Sequence, residues 1–280
     1  MNVRVAIHAH VFYADLWPEL EKCIRNVVAT CGADKVELVI TYPEMHAALE
    51  QLFKEGGVTF GCDCEVIPVP NRGYDVGPFV CEFLPRVNLS ETDYIVKIHT
   101  KRDVDTWMNF RPMKGSKWRC ELLKFCATKE AFRRTLKALG RYPKLGFVTS
   151  HRVINYCGSD WGADAQMVKQ MLRDEFGLFA RHLVTASGTM FCARTEIFKP
   201  FQGRYTFDDF PLVCEKSAHR DYGLAAQLEY AFTMAADAMG YVVSEGCWAP
   251  VLARAGYAVQ SLVFSALRLA SNTVRRIANR

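Results

Sequence analysis

Val69-Pro70-Asn71-Arg72-Gly73-Tyr74-Asp75-Val76-Gly77-Pro78-Phe79 is the stretch that decides the fold. The run Glu65 to Val69 reads as a strand entering it, and Val76 to Leu84 as a short helix leaving it. A strand that turns through glycines into a helix is a building unit of layered α/β sheets. Gly73 and Gly77 permit backbone conformations and close approaches that a Cβ would prevent. The unpaired N–H groups at the helix start suit a phosphate or a sugar hydroxyl. Asp75 is placed to accept hydrogen bonds from sugar or ribose hydroxyls, or to cap the helix, and composition leaves both open. The stretch is not GxGxxG, and no GxxxxGK[ST] occurs, so dinucleotide and ATP-type readings lack their usual support.

Working outward, Val3 to His8 reads as a strand, Trp17 to Ala29 as a helix and Val36 to Thr41 as a strand. A helix from Pro43 to Lys54 follows, ended by Gly56-Gly57. Downstream come a strand at Tyr94 to His99, helices at Ser116 to Thr128 and Lys129 to Leu139, and a strand at Leu145 to Thr149. An amphipathic helix at Ala163 to Phe176, a strand at Ser187 to Ala193 and a helix at Tyr222 to Met239 complete the series. This alternation predicts an α/β fold: a mostly parallel sheet, helices on both faces, and a ligand crevice at the carboxyl ends of the strands. With no internal repeat or low-complexity linker, one domain over residues 1–248 is expected, followed by a tail over 249–280. The tail has no acidic residue. Val259, Leu262, Val263, Ala266, Leu267, Ala270, Val274 and Ile277 fall near helical spacing, with Arg268, Arg275, Arg276 and Arg280 supplying charge. It reads either as a cationic amphipathic helix lying on an anionic membrane or as a terminal helix packed on the domain.

Half of the 280 residues are hydrophobic, enough for a large core. The net charge of +5 is too small to argue for nucleic acid but suits anionic small ligands or a membrane surface. No signal-peptide pattern and no run of about 20 apolar residues occurs, so a cytoplasmic protein is expected, with the tail offering contact to the inner face of the membrane. Eleven cysteines run from Cys23 to Cys247 without a CxxC; only Cys62-Asp63-Cys64 is a tight pair. Reduced, mostly buried thiols are expected rather than a metal finger or disulfide framework.

A second informative stretch is Asp93-Tyr94-Ile95-Val96-Lys97-Ile98-His99-Thr100-Lys101-Arg102-Asp103. Strand alternation places Lys97, His99 and Lys101 on one face. Lys101 and Arg102 are suited to neutralising a diphosphate, with His99 hydrogen-bonding to it; a solvated charged loop is the plainer reading. His8, His10 and Tyr13, near the first strand end, offer contacts to a nucleotide base or ribose, although a histidine there is more often a satisfied core group. Trp118-Arg119 and Trp161 are candidates for an acceptor groove, with core packing the default for both tryptophans.

Four segments together resemble the rhamnan synthesis F family of polysaccharide glycosyltransferases, over roughly residues 3 to 240. They are His8-Ala9-His10-Val11-Phe12-Tyr13 with Leu16, Asn71 to Phe79, Val96-Lys97-Ile98-His99-Thr100-Lys101, and Ser187-Gly188-Thr189-Met190-Phe191-Cys192-Ala193-Arg194. The chain departs from the family pattern at Cys192, where an aromatic is expected. In the late helix Asp221 and Glu229 match, while Ala226 and Tyr230 replace the expected His and Arg.

The resemblance implies a GT-A-like, Rossmann-like fold that moves a rhamnose-like sugar from a nucleotide-diphosphate donor, dTDP-rhamnose being the family's suggestion. The acceptor implied is a bacterial surface polysaccharide or lipid-linked glycan. Donor contacts are then expected from His8, His10, Tyr13, Asn71, Arg72, Gly73, Asp75, Gly77, Lys97, His99, Thr100 and Lys101, and acceptor contacts from Trp118, Arg119, Gly188, Thr189 and Met190. The catalytic carboxylate is sought among Asp208, Asp209, Asp221 and Glu229, with Glu215 nearby. Many such folds hold a divalent metal through an Asp-x-Asp at the fourth strand's end. Here that strand ends in His99-Thr100-Lys101, so Lys101, with Arg102 or Lys97, is expected to replace the metal, and no cofactor is expected. A degenerate domain that binds a glycan or an assembly partner is the alternative.

Overall fold

A computed structural model describes residues 2–44, 46–55, 59–103, 105–108, 111–156, 162–213 and 223–246. In chain order the elements begin β1 (Val5–His10), α1 (Trp17–Cys31), β2 (Val36–Pro43), α2 (Ala47–Glu55) and β3 (Asp63–Val69). A composite helix follows: α3 (Val76–Pro78), a π-helical turn (Phe79–Phe83) and α4 (Leu84–Arg86). Next are β4 (Tyr94–His99), the antiparallel pair β5 (Thr106–Met108) and β6 (Arg111–Met113), α5 (Gly115–Leu123), α6 (Lys129–Arg141) and β7 (Leu145–Val148). Then come β8 (Ile154–Tyr156), α7 (Gly162–Phe176), β9 (Val184–Ala186), β10 (Phe191–Arg194), α8 (Gly223–Ala238) and β11 (Val242–Ser244).

Seven strands form one sheet in the order β11-β7-β10-β4-β1-β2-β3. Only β10 runs against its neighbours. The chain moves from β1 outward to β2 and β3, then crosses back to lay β4 on the other side of β1. That reversal opens the crevice of a doubly wound sheet at the carboxyl ends of β1 and β4. Both strands are buried at every position, as expected of a parallel sheet covered on two faces.

One face packs Val5, Ile7 and Ala9 of β1 with Val96 and Ile98 of β4 under Leu20 and Ile24 of α1 and Phe132 and Leu136 of α6. The other packs Ala6, Val39 and Ile95 under Phe79, Phe83, Val168 of α7 and Leu228 and Phe232 of α8. Each of these large side chains contributes roughly 1.5–3 kcal/mol by leaving water. α1 buries Trp17, Leu20, Cys23, Ile24 and Val27, the helical stripe legible in its sequence, and ends where Gly32 takes φ 95°. α6 starts where the Thr128 hydroxyl accepts from the Ala131 N–H.

The α/β class, the mostly parallel sheet and the helices on both faces agree with the sequence. Several boundaries do not. β1 runs from Val5 to His10, two residues later than expected. Pro43 ends β2 rather than starting a helix, because pairing with β3 continues to Pro43 opposite Val69. The helix expected to reach Thr128 stops at Leu123, since Phe125 and Cys126 turn into the core and Thr128 caps the next helix. The strand expected from Ser187 starts only at Phe191, because Gly188 and Thr189 take φ 89° and 43° in a turn. The tail and the boundary at 248 lie outside the described residues. Among the described residues no helix is long and apolar enough to cross a membrane. Every described cysteine is a free thiol, and burial pushes Cys31 and Cys64 up to about 11.

Candidate active site

On the α8 face of the sheet, three adjacent strands start apolar, at Ala6, Val39 and Ile95, and turn polar toward their carboxyl ends, at His8, His10, Thr41, Lys97 and His99. Register places His8 beside Val39 and Lys97, and His10 beside Thr41 and His99. The Thr41 hydroxyl oxygen lies 2.9 Å from both His8 Nε2 and His10 Nδ1. A hydroxyl has one proton, so it donates to one ring and accepts from the other, and the two tautomers are linked. His8 also packs on Phe79 and Phe83, at 5.6 and 5.1 Å between ring centroids. Burial, with the Lys97 charge adding, holds His8 well below the usual histidine value, and burial lowers His10 to about 4. Both rings are neutral at pH 7 and form the floor of the site. His8 is fully buried and His10 nearly so, and the contacts both make here are to Thr41 and the core rings.

Asp75 makes no helix cap. Its Oδ2 accepts from Lys97 Nζ and from the Thr189 hydroxyl, each at 2.5 Å, and His99 Nδ1 stands 3.3 Å away. Lys97 Nζ donates further to the Thr189 carbonyl and hydroxyl oxygens, both at 3.2 Å. All three ammonium protons are thereby used. Burial by itself would raise the Asp75 carboxyl, but the charges beside it and the hydrogen bonds from Lys97 and Thr189 hold it well below the carboxylate range. Burial keeps His99 neutral, so the lasting counter-charge is Lys97. Burial lowers Lys97 in turn, opposed by Asp75. The charge of Lys97 is matched inside the protein by Asp75. Tyr74, before Asp75, and Thr189, its partner, both take positive φ, 54° and 43°. Such backbone costs of order 1–3 kcal/mol and persists where surrounding contacts enforce it.

The Gly188 N–H donates to Glu229 Oε1 of α8 at 2.6 Å. Burial raises the Glu229 carboxyl above its ordinary value, while the Gly188 N–H, Lys101 and Lys97 pull the other way. Glu229, a candidate for the catalytic carboxylate in the sequence, thus lies within electrostatic reach of Asp75, Lys97 and Lys101. Lys101 Nζ sits 4.4 Å over the Trp118 ring. Its backbone is fixed from two sides: Arg119 donates to the Lys101 carbonyl at 3.2 Å while paired with Glu19 and Asp103, and the Thr100 hydroxyl accepts from the N–H groups of Phe12 and Tyr13 at 2.8 and 3.0 Å. Arg102 lies 4.5 Å over the Tyr13 ring and pairs with Asp15 at 2.6 Å.

Other expected contacts resolve into internal structure. Arg72 donates to the Phe210 carbonyl at 2.8 Å, and Asn71 accepts from the Val213 N–H at 3.0 Å, so both hold the 210–213 segment. A Cβ on Gly73 would stand 2.7 Å from the Phe210 ring, and one on Gly77 2.3 Å from the Arg72 carbonyl oxygen. These glycines admit the close approach of the protein's own atoms. Thr100, expected at the donor, is a buried tether, and Met190, expected at the acceptor, is a core residue at 1% exposure. Asp209 closes a capping box with Thr206, accepting from its N–H at 2.8 Å, so its carboxylate is occupied as a cap beside the exposed Asp208. Asp221, Glu215 and Trp161 lie outside the described residues. Thr41 was not anticipated, although strand alternation places it level with His10.

Among the described residues no group of three or more His, Cys, Asp or Glu is arranged to hold a metal ion. Asp75, the carboxylate at the strand tip, already accepts from Lys97 and Thr189. Among the described residues, this donor set does not fit an ion.

Structural similarity is distant. A crystal structure of S. aureus TarS 1–349 in complex with UDP-GlcNAc is 10% identical with a TM-score of 0.40, covering 88% of this chain and 57% of that one. A second TarS 1–349 structure is 9% identical with a TM-score of 0.38, covering 83% and 55%. Core-mannan synthase A from Aspergillus fumigatus, in an Mn/GDP form, is 10% identical with a TM-score of 0.26, covering 90% and 68%. The chain spans a little over half the length of the TarS structures it matches. No curated protein matches it. The family model described as rhamnan synthesis protein F matches residues 1–231, a span that contains Asp75, Lys97, Lys101, Thr189 and Glu229. The chain belongs to the rhamnan synthesis protein F family.

Proposed function

We propose that this chain is a glycosyltransferase of GT-A-like type that moves a rhamnose-like sugar from a nucleotide-diphosphate donor to a bacterial polysaccharide or lipid-linked glycan. The observation that carries the reading is Glu229: a half-buried carboxyl with a raised pKa, held by the Gly188 N–H and flanked by Lys101 at the switch point of the sheet. In the reaction the acceptor hydroxyl oxygen bonds to the anomeric carbon. The bond from that carbon to the donor diphosphate breaks, and its electron pair leaves with the diphosphate. The hydroxyl proton passes to Glu229 as general base. Lys101, held over Trp118, faces the charge that develops on the leaving group, and its fixed position avoids reorganisation during the reaction. Arg102 stacked on Tyr13 offers a cationic aromatic wall to the nucleotide. The Asp75–Lys97–Thr189 knot positions the turn that holds Glu229. Sugar and acceptor identity rest on the family alone.

The test is a panel of nucleotide sugars, read by thermal shift and by release of nucleoside diphosphate with and without glycan acceptor. One donor at about a hundred times its Kd adds about 2.7 kcal/mol of stability and is turned over. A panel with no binder removes the reading. A catalytically silent glycan-binding domain is the second reading, favoured by the mutual neutralisation of Asp75 and Lys97. Donor or glycan binding without hydrolysis or transfer selects it.

A further inference from the structure

A cationic cavity opens on the α6 face of the sheet, toward the β11 end of the strand order. It encloses about 420 Å³ between α6 and the carboxyl ends of β7 and β11, and its lining includes Lys124, Arg134, Lys137, Arg141, Ser150 and Glu245. Four cations and one carboxylate line it, with the Glu121 carboxylate 3.8 Å from Lys124. Arg134, Lys137 and Arg141 lie three and four residues apart, on one stripe of α6. Lys124 pairs with Glu245 at 2.6 Å, and Arg141 leans on the Tyr142 ring at 5.5 Å. Arg134 and Lys137 are exposed and have no ion-pair partner among the described residues.

The cavity connects to the site described above through α5. Trp118 carries Lys101; one turn on, Glu121 accepts from the Ser150 hydroxyl at 2.6 Å; at the helix end Lys124 reaches Glu245. From Trp118 to Lys124 the helix rises about 9 Å. The chain's own tail does not suit the cavity: residues 249–280 carry Arg254, Arg268, Arg275, Arg276 and Arg280 and no acidic residue.

We propose that this cavity is an anion site for a phosphate ester on the acceptor, engaged while the donor diphosphate sits at Lys101. The proposal rests on the transferase reading for its acceptor role, but the anion site is testable by itself. Arg134 and Lys137 supply paired donors to the phosphate oxygens, with Arg141 closing the stripe.

The experiment titrates the full chain with octyl diphosphate, inorganic pyrophosphate and octanol. It compares wild type with Arg134→Gln/Lys137→Gln and with the charge-conserving Arg134→Lys/Lys137→Arg. Nucleotide-sugar binding and melting temperature serve as controls for the donor site and the fold. Octyl diphosphate is expected to bind about tenfold or more weakly to the Gln pair, near-normally to the conserving pair, and octanol not at all. Equal affinity in wild type and the Gln pair overturns the site. Tighter binding of inorganic pyrophosphate than of the ester overturns the acceptor assignment in favour of a free anion. If no nucleotide sugar binds any variant, the transferase reading fails while the octyl diphosphate comparison still decides the cavity.

Discussion

Asp75→Asn keeps side-chain volume and removes the charge that matches Lys97. The Lys97 side chain is 0% exposed and that of Asp75 20%. Breaking a buried pair by removing one partner costs about 3–5 kcal/mol. The partial exposure of Asp75 lets water approach, so about 3 kcal/mol is expected. For a chain of this size that corresponds to a fall in Tm of roughly 6–12 °C. Urea unfolding of Asp75→Asn, Lys97→Met and the double variant measures the coupling. The double variant removes both charges and is expected to be no less stable than Asp75→Asn, giving a coupling of about 2 kcal/mol or more. The acid response has a definite sign. Asp75 is depressed in the folded state, so its contribution is present above the unfolded carboxyl value near 4 and is lost as pH falls further. Asp75→Asn therefore flattens the loss of stability below about pH 4. A variant within about 1 kcal/mol of wild type, with additive effects in the double, refutes the claim that this pair holds the site.

His10 sits at about 4 when folded against about 6.5 unfolded, so the unfolded chain gains the extra proton first and stability falls as pH drops between those values. Urea unfolding at pH 7 and pH 5 is expected to show wild type losing about 2 kcal/mol more than His10→Gln; equal losses count against a buried neutral ring. In the proposed reaction Lys101 rather than an ion meets the leaving group, so turnover is expected to persist in EDTA; activity abolished by chelation and restored by Mg²⁺ or Mn²⁺ contradicts that. Gly77→Ala is expected to destabilise the fold by about 1–3 kcal/mol, since its methyl meets the Arg72 carbonyl oxygen at 2.3 Å; an unchanged melting temperature counts against that packing.

The sheet was legible because its strands are short apolar runs bounded by turn residues, and β1, β2 and β4 fall almost where the runs lie. Alternation put Lys97 and His99 on one face, where both meet Asp75, while Lys101 lies over Trp118. Which charge answers which did not follow. Asp75 reads equally as ligand, cap or ion-pair partner until Thr189 and Lys97 are placed around it. Gly73 and Gly77 announce a close approach without saying what approaches, and here it is Phe210 and the Arg72 carbonyl. The turn at Gly188 and Thr189 hides inside an apolar run that looks like strand, because Thr189 adopts a conformation its residue type disfavours. Asp209 fits an acidic patch by composition, but its partner Thr206 lies three residues earlier, the spacing of a capping box.

Glu229→Gln, assayed for sugar transfer across pH, addresses the proposed base most directly. The substitution preserves the acceptor for the Gly188 N–H and removes only the proton-accepting charge. Wild-type turnover should rise with pH through a value above 4.5, since burial raises this carboxyl. The variant should lose roughly a hundredfold or more in kcat, keep its donor KM and lose that acidic limb. A variant turning over within about threefold of wild type, with the same pH profile, contradicts Glu229 as the base and the reading of this cluster as the place where sugar is transferred.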